Sequence, residues 1–466
     1  MSDPYEDRTA DDASARRPLS ANEEFMCAFD RGDDLGVFGP RGIVLAGWRI
    51  RGPLDVATVQ LALDDVVARH EALRTTIIRD KDAPYARVSP PCPAALTVVD
   101  LPPAASEADR ERLAHEFLDG VDRDGRLGAT ELPLLRATLA RFDDGDAVFV
   151  IVTNHLASDG WSMQVLMRDF TICYATRRGL PAPDLPETRQ LGEYALWQQE
   201  ARDSESATIA REYWKDTLSG GEMLILPTDR PRRLDVPPVY SVYRFVLDQE
   251  LAGATTSLAK SLHSSPFMVL FACFNLFLHR RTGRTDIVSP VITSGRTEPG
   301  FEDTVGTLFN FLPIRTDVSG CASFADLVRR TRASLLEAYS YELPFGEIIA
   351  KSEPELMSGP IMNVSSVVSA FQISQFPSEG ADDIGGLRLS ALRRRLTSLV
   401  DVSEIPDGNL WELDLHPDGD VVGVVKYNSL DFDLPTIVAM VDEYRELLLA
   451  SLKSPDSALP KQESSA

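Results

Sequence analysis

Strand-like and helix-like stretches alternate along this chain, and that alternation limits its possible folds more than any other feature of the sequence. Residues 43–51 (IVLAGWRIR) suit a strand. Residues 54–74 follow with helical spacing: Asp55 is a candidate N-cap, and Val59, Leu63, Val66 and Val67 recur on one face. Residues 132–141 (LPLLRATLAR) and 147–153 (AVFVIVT) read as two strands joined by the turn Asp143-Asp144-Gly145-Asp146, and residues 161–177 as another amphipathic helix. The mixed pattern resumes with a buried helix near 266–281, a strand at 287–292, a helix at 324–339, a strand at 421–427 and a closing helix at 435–452. With 466 residues, the chain exceeds what one core usually holds, so two mixed α/β lobes are predicted.

Composition at the ends and between the halves sets the expected boundaries. Residues 1–17 are polar and acidic without apolar period, which predicts a disordered tail, and residues 456–466 read the same way. The first lobe is expected over 18–186 and the second over 187–455, joined by the proline-rich stretch 179–190 (GLPAPDLPETRQ). A second proline-rich connector spans 226–238.

Charge and cysteine usage remove several function classes. Lys and Arg total 47 against 71 Asp and Glu, a formal net charge of −24, which repels phosphate backbones and argues against nucleic-acid binding. The apolar run 267–278 (FMVLFACFNLFL) is broken by Asn275 and is too short to span a bilayer, so it reads as a buried helix. Five scattered cysteines without CxxC spacing, and no signal peptide, fit a reducing cytoplasm rather than a disulfide framework. No metal-ligand cluster and no glycine-rich phosphate loop stands out.

The most informative stretch is Asn154-His155-Leu156-Ala157-Ser158-Asp159-Gly160-Trp161-Ser162. A histidine here leaves a rigid strand with its ring free to face a cleft. Asp159 is close enough to brace the turn. Gly160 permits a backbone conformation that a Cβ would forbid and lets a ligand approach closely. The following helix N-terminus offers N–H groups to developing negative charge. Taken alone, the pattern also fits a strand-end histidine and an aspartate that merely caps the helix.

Other segments add context, in order. The stretch around Asn154 to Gly160 resembles the HHxxxDG motif of non-ribosomal peptide synthetase condensation domains. Residues 19–29 (LSANEEFMCAF) resemble the family's opening motif, and Arg69-His70-Glu71-Ala72-Leu73-Arg74-Thr75 resembles its RHEALRT motif. Tyr194 to Trp197 with Tyr213-Trp214 resembles its Tyr/Trp stretch, and Gly295-Arg296 with 305–313 (VGTLFNFLP) resembles GR…IGxFVNTLP. Leu343-Pro344-Phe345 and 427–433 (YNSLDFD) resemble the LPF and YNTDLFD motifs, so the resemblance spans residues 19–433.

The resemblance implies two chloramphenicol-acetyltransferase-like lobes in a V-shaped pseudo-dimer, with His155 at their junction. It implies no permanently bound cofactor; the donor is an acyl group tethered to a carrier protein through a phosphopantetheine arm. His155 would be general base or positioning group for an incoming amine or alcohol. Asp159 would pair with Arg296 across the lobe interface and pin the loop, and the Gly160 N–H would face the oxyanion. Asn154, which replaces the first motif histidine, and Arg74 would support the site. Small Ser365, Ser366 and Ser369 stand where the family has bulkier residues, and Ser366 and Ser369 are expected in the acceptor tunnel unless they face solvent. The basic runs 230–233 (RPRR) and 393–395 (RRR) are read either as a carrier-docking patch or as a solvated face.

The function implied is a free-standing, monomeric condensation enzyme forming an amide or ester with a small-molecule or carrier-bound acceptor. Two other classes compete: a catalytically inactive condensation-like domain that recruits tailoring enzymes, favoured by Asn154, and a coenzyme A-dependent acyltransferase. The LPF and YNSLDFD segments favour the condensation branch over the latter.

Overall fold

In the computed structural model, residues 15–80, 83–233, 236–352, 354–357, 365–375, 386–393, 399–401, 408–415 and 419–459 are described. Outside them lie most of the expected N-terminal tail, residues 460–466, residues 362–364 before the expected tunnel serines, and Arg394-Arg395 of the second basic run. The fold is mixed helix and sheet in two compact units. The first holds Met1–Ala201, Ser294–Phe309 and Ala381–Leu392; the second holds Arg202–Thr293, Asn310–Gly380 and Arg393–Ala466. A single cut near residue 186 therefore does not describe the division. The proline-rich stretch belongs to the first unit, where the Pro186 carbonyl accepts from Arg69 and Gln190 accepts from the Glu71 N–H at 3.0 Å.

The first unit is built on a five-stranded sheet, in the order Arg388–Ala391, Ile43–Arg51, Asp146–Asn154, Leu135–Asp143, Ala95–Asp100. Every residue of its central strand, Asp146–Asn154, is buried. Phe149 and Ile151 pack with Leu63 of helix Val56–Arg69 and with Leu166 and Phe170 of helix Gly160–Arg177. Val148, Val150 and Val152 pack with Ala114 and Leu118 of helix Glu107–Asp124 on the other face. Helices on both faces explain why the strand is apolar at both parities.

A smaller sheet takes in the end of the expected N-terminal tail, Ala15–Arg17. Ala15–Arg17 is a strand paired with Tyr85–Val88, which also pairs with Thr75–Ile78. Its order comes from charge pairing rather than apolar period: buried Arg17 bonds Glu23 at 2.8 Å and lies 3.5 Å from Glu71. Of the expected far tail, residues 456–459 are described, and there Ala458 bridges Ser323.

The second unit is an eight-stranded sheet. Seven strands run in the order Asn310–Asp317, Asp286–Thr293, Ser366–Gln375, Asn409–Leu415, Val421–Asn428, Tyr240–Leu247, Leu399–Asp401, and Ile225–Pro227 adds to Ser366–Gln375. Helix Pro266–Thr282 is capped by Ser265 and ended by Gly283 at φ 69°. Its Phe271 and Phe274 rings pack on Phe371, and Phe274 on Trp411. Asn275, which interrupts that apolar run, is buried and donates to Thr316 at 3.3 Å. Among the described residues no single helix is long and apolar enough to cross a membrane.

The predicted helix over 54–74 is capped by Asp55 as expected but ends at Arg69. The chain turns there because buried Asp169 draws in both Arg69 and His70: Arg69 Nε at 2.8 Å and His70 Nε2–H at 2.9 Å. Burial pushes the His70 pKa down, and Asp169 offsets this only in part. The folded state thus resists a proton that the unfolded chain accepts below about pH 6.5. Stability from this source is complete above that pH and falls as the pH drops through it. Denaturant midpoints at pH 7.5 and 5.5 are expected to separate more in the wild type than in His70→Gln, which keeps a donor for Asp169; equal separations refute the assignment.

Candidate functional site

The site grows out of the end of the central strand. Asn154 still pairs with Ile43 in the sheet, and its fully buried side chain joins two backbone groups. Nδ2 donates to the Leu127 carbonyl at 2.8 Å, and Oδ1 accepts from Leu156 N–H at 3.0 Å. His155 N–H donates to the Gly42 carbonyl at 2.7 Å, Ala157 N–H returns to the Asn154 carbonyl at 2.9 Å, and Thr153 and Ser158 join their hydroxyls. The loop presenting His155 is thus fixed on both sides. The imidazole is partly exposed and packs against Phe309, ring centroids 5.2 Å apart. Phe309 itself packs on the apolar cluster that includes Leu156, Leu19 and Met26.

Asp159 caps helix Gly160–Arg177 by accepting from Ser162 N–H and Oγ, both at 2.8 Å. The same carboxylate accepts from Arg296 Nη1 at 2.8 Å, Arg296 Nη2 at 3.0 Å and Leu308 N–H at 3.1 Å. Burial alone would raise the Asp159 pKa, but the Arg296 guanidinium with the Ser162 donors holds it below the usual carboxylate range. Arg296 also donates to Ser162 Oγ, to the Thr304 carbonyl and to the Ser294 carbonyl. Its approach depends on Gly295, which sits at φ 64°; a Cβ there would lie 1.7 Å from the Leu308 carbonyl oxygen. Tyr194 of the Tyr/Trp stretch holds that glycine, its hydroxyl donating to the Gly295 carbonyl at 2.9 Å.

Several sequence expectations change here. Arg296 falls in the range expected for the second lobe, yet 294–309 packs with the first unit, so the ion pair is internal to one unit. Gly160 starts a helix without positive φ, and a Cβ there would meet nothing within 4 Å, so conformational need does not explain it. Open space at Gly160 remains. Arg74 donates to the Ser89 and Ala68 carbonyls at 2.6 and 3.5 Å, bracing the smaller sheet's edge. Ser366 and Ser369 are three residues apart on one strand and so point to opposite faces. Ser369 is buried on the face of Val367 and Phe371, and Ser366 is half-buried on the other, so the two cannot line one side of a tunnel. Arg230 pairs with Asp433 at 2.6 Å and Arg393 with Asp414 and Asp420 at 3.0 and 2.7 Å, which removes both from a free basic patch.

Sequence reasoning missed Ser162 and Phe309. Ser162 Oγ lies 3.0 Å from the Gly306 carbonyl and accepts from Gly306 N–H at 3.1 Å, besides serving Asp159 and Arg296. Its position three residues after an aspartate cap was a readable signal. Phe309 lay inside the motif-like segment 305–313, but nothing local pointed to His155 as its partner, 154 positions away in the chain (309 − 155). Among the described residues no group of three or more His, Cys, Asp or Glu side chains is arranged to hold a metal ion.

A family model described as a condensation domain matches residues 44–464. The chain is 32% identical over 429 residues to a linear gramicidin synthase polypeptide of Brevibacillus parabrevis, covering 88% of this chain and 8% of that relative, so it spans under a tenth of that protein. The crystal structure of SgcC5 from Streptomyces globisporus, in complex with (R)-(-)-1-(2-naphthyl)-1,2-ethanediol and sucrose, matches with a TM-score of 0.90 at 41% identity, covering 95% of this chain and 100% of that chain. The X-domain from teicoplanin biosynthesis shares the fold, with a TM-score of 0.73 at 24% identity over 96% of this chain and 97% of that one.

Breaking a buried ion pair by removing one partner leaves a buried charge, at a cost of about 3–5 kcal/mol. Asp159→Ala and Arg296→Ala are each expected to lose about that much stability by chemical denaturation, with the double variant losing clearly less than the sum. Additive losses would show that the two side chains do not act as a unit.

Proposed function

Because the chain belongs to the condensation-domain family, we propose that it is an acyltransferase that moves an acyl group from a carrier-protein phosphopantetheine thioester to an alcohol, forming an ester. The observation that carries the ester half is the likeness to SgcC5, which matches over its whole chain and was crystallised with an aryl-substituted ethanediol. The transfer half rests on the family, on the partly exposed imidazole of His155 held in its loop, and on the open space at Gly160, five residues on.

The reaction joins the acceptor oxygen to the thioester carbonyl carbon and breaks the C–S bond. The neutral His155 imidazole takes the hydroxyl proton as the C–O bond forms and returns it to the departing thiol, so atoms and charge balance. Used as a positioning group instead, the ring would hold the hydroxyl by one hydrogen bond while the same bonds form and break. Gly160 opens its helix, so the helix ladder does not claim its N–H, which is available to the tetrahedral oxyanion. Asp159 does not oppose that charge, because Arg296 neutralises it at 2.8 Å. Asn154 fits an active enzyme: a carboxamide supplies one donor and one acceptor where a neutral imidazole would supply the same. Ser366 or Ser369, but not both from one side, is proposed to meet the acceptor.

The test uses acyl-loaded carrier proteins with (R)-1-(2-naphthyl)-1,2-ethanediol and with the matching amino alcohol, products read by mass spectrometry. Ester is expected from the diol. His155→Ala should lower its rate by about 10²–10⁴-fold, and Asn154→His should stay within a few-fold of wild type. The His155 loss should be larger for alcohol than for amine, since an amine attacks with a free lone pair and sheds its proton afterwards. Amide product without ester would overturn the alcohol assignment. Undiminished ester formation by His155→Ala would remove the imidazole from the mechanism.

A further inference from the structure

Residues 294–309 leave the sheet after Thr293 and return at Asn310, and those two residues are register partners at the end of the strand pair Asp286–Thr293 and Asn310–Asp317. The last pair of a ladder opens readily unless something beyond the ladder holds it. Glu342 does so here. Its Oε1 accepts from Thr293 Oγ1 at 2.8 Å and from Asn310 Nδ2 at 2.9 Å. Asn310 is held further, Nδ2 donating to the Leu343 carbonyl at 2.8 Å and Oδ1 accepting from Phe345 N–H at 2.9 Å. The run Glu342-Leu343-Pro344-Phe345 therefore closes the neck of the segment.

Glu342 is an expensive way to close it. Its Oε2 is buried with no hydrogen-bond partner among the described residues, and burial pushes its pKa up. What the neck controls is position. Arg296, three residues beyond Thr293, grips Asp159, and Phe309, covalently joined to Asn310, backs the His155 ring. Both ends of the segment thus feed the placement of one imidazole.

We infer that Glu342 is a positioning residue for His155: by tying Thr293 to Asn310 it sets where the segment between them presents Arg296 and Phe309. Its effect on turnover rests on the acyl-transfer reading, whereas its effect on the imidazole does not. Glutamine keeps an acceptor oxygen at the same reach; aspartate is one methylene too short to meet both donors.

The experiment combines turnover with NMR of the protein carrying 13C-labelled histidine, in which six histidines give few signals and His155→Ala identifies one of them. In Glu342→Ala the His155 ring signals are expected to shift and broaden, and kcat to fall about 10- to 100-fold, the scale of a misplaced reacting group. KM for the acyl-carrier donor should change less than twofold. Glu342→Gln should restore the ring signals and most of kcat, and Glu342→Asp should not. In a Phe309→Ala background, Glu342→Ala should add little. Unperturbed His155 signals in Glu342→Ala would overturn the inference whatever the turnover, as would a KM change as large as the kcat change. If Glu342→Ala does not fold, matching signals in the Gln and Asp variants would overturn it too. Loss of His155 dependence in turnover, with the NMR result as expected, would instead sink only the functional reading.

Discussion

Everything at the site hangs on one carboxylate with a full complement of donors. Asp159 accepts from two guanidinium nitrogens, two backbone N–H groups and a serine hydroxyl, and it is buried with its partner Arg296. A buried ion pair seldom adds much net stability, because desolvation of two charges offsets their attraction. Its use here is geometric. One oxygen starts the helix after the histidine loop, the other holds Leu308, and the guanidinium reaches Thr304 and Ser294. Two stretches distant in sequence, 159–162 and 294–308, meet there, and the imidazole four residues before the aspartate inherits that rigidity.

The replacement of the first motif histidine looks different once its bonds are known. What that position supplies is one donor toward Leu127 and one acceptor toward Leu156, on either side of His155. A carboxamide does both without titrating, so the loop's geometry is insensitive to pH at this point. A histidine there would keep the geometry only while neutral. A change of motif residue and the loss of the hydrogen bonds around it are separate matters, and here Asn154 makes both bonds.

The sequence made the local elements readable and the global grouping unreadable, for physical reasons. Residues 147–153 read as a strand because β-branched and aromatic residues run without a polar break, and the structure buries every one of them. Asp55 read as a cap and is one. In contrast, 294–309 and the described part of 381–392 join the first unit through contacts far away in the chain, which leave no period and no composition shift. The strand Ala15–Arg17 was hidden because ion pairs hold it, and the helix ended early at Arg69 because Asp169, a hundred positions on, draws its last turn aside. The clamp was legible only through resemblance: nothing local to Arg296 announces that Asp159 is its partner. Phe309, although inside a motif-like segment, and Glu342, just before one, lie further down the same scale, since neither segment announces the partner that each touches.

Charge narrows how a tethered donor can be recognised. A chain with a net charge of −24 offers an anionic arm no long-range attraction, and Arg230, Arg393 and Arg296 are each engaged by carboxylates of the same chain. On the proposed reading, a phosphate-bearing donor gains nothing from the net field and would be held by short-range contacts. Such contacts work best on surfaces already in place, because little ordering remains to be done on binding. That is the arrangement around His155: a loop bonded on both sides, a capped helix start beside open space, and a phenyl ring behind the imidazole. On the proposed reading, the rigidity supplied by the Asp159–Arg296 pair would serve recognition of the donor as well as the placement of His155.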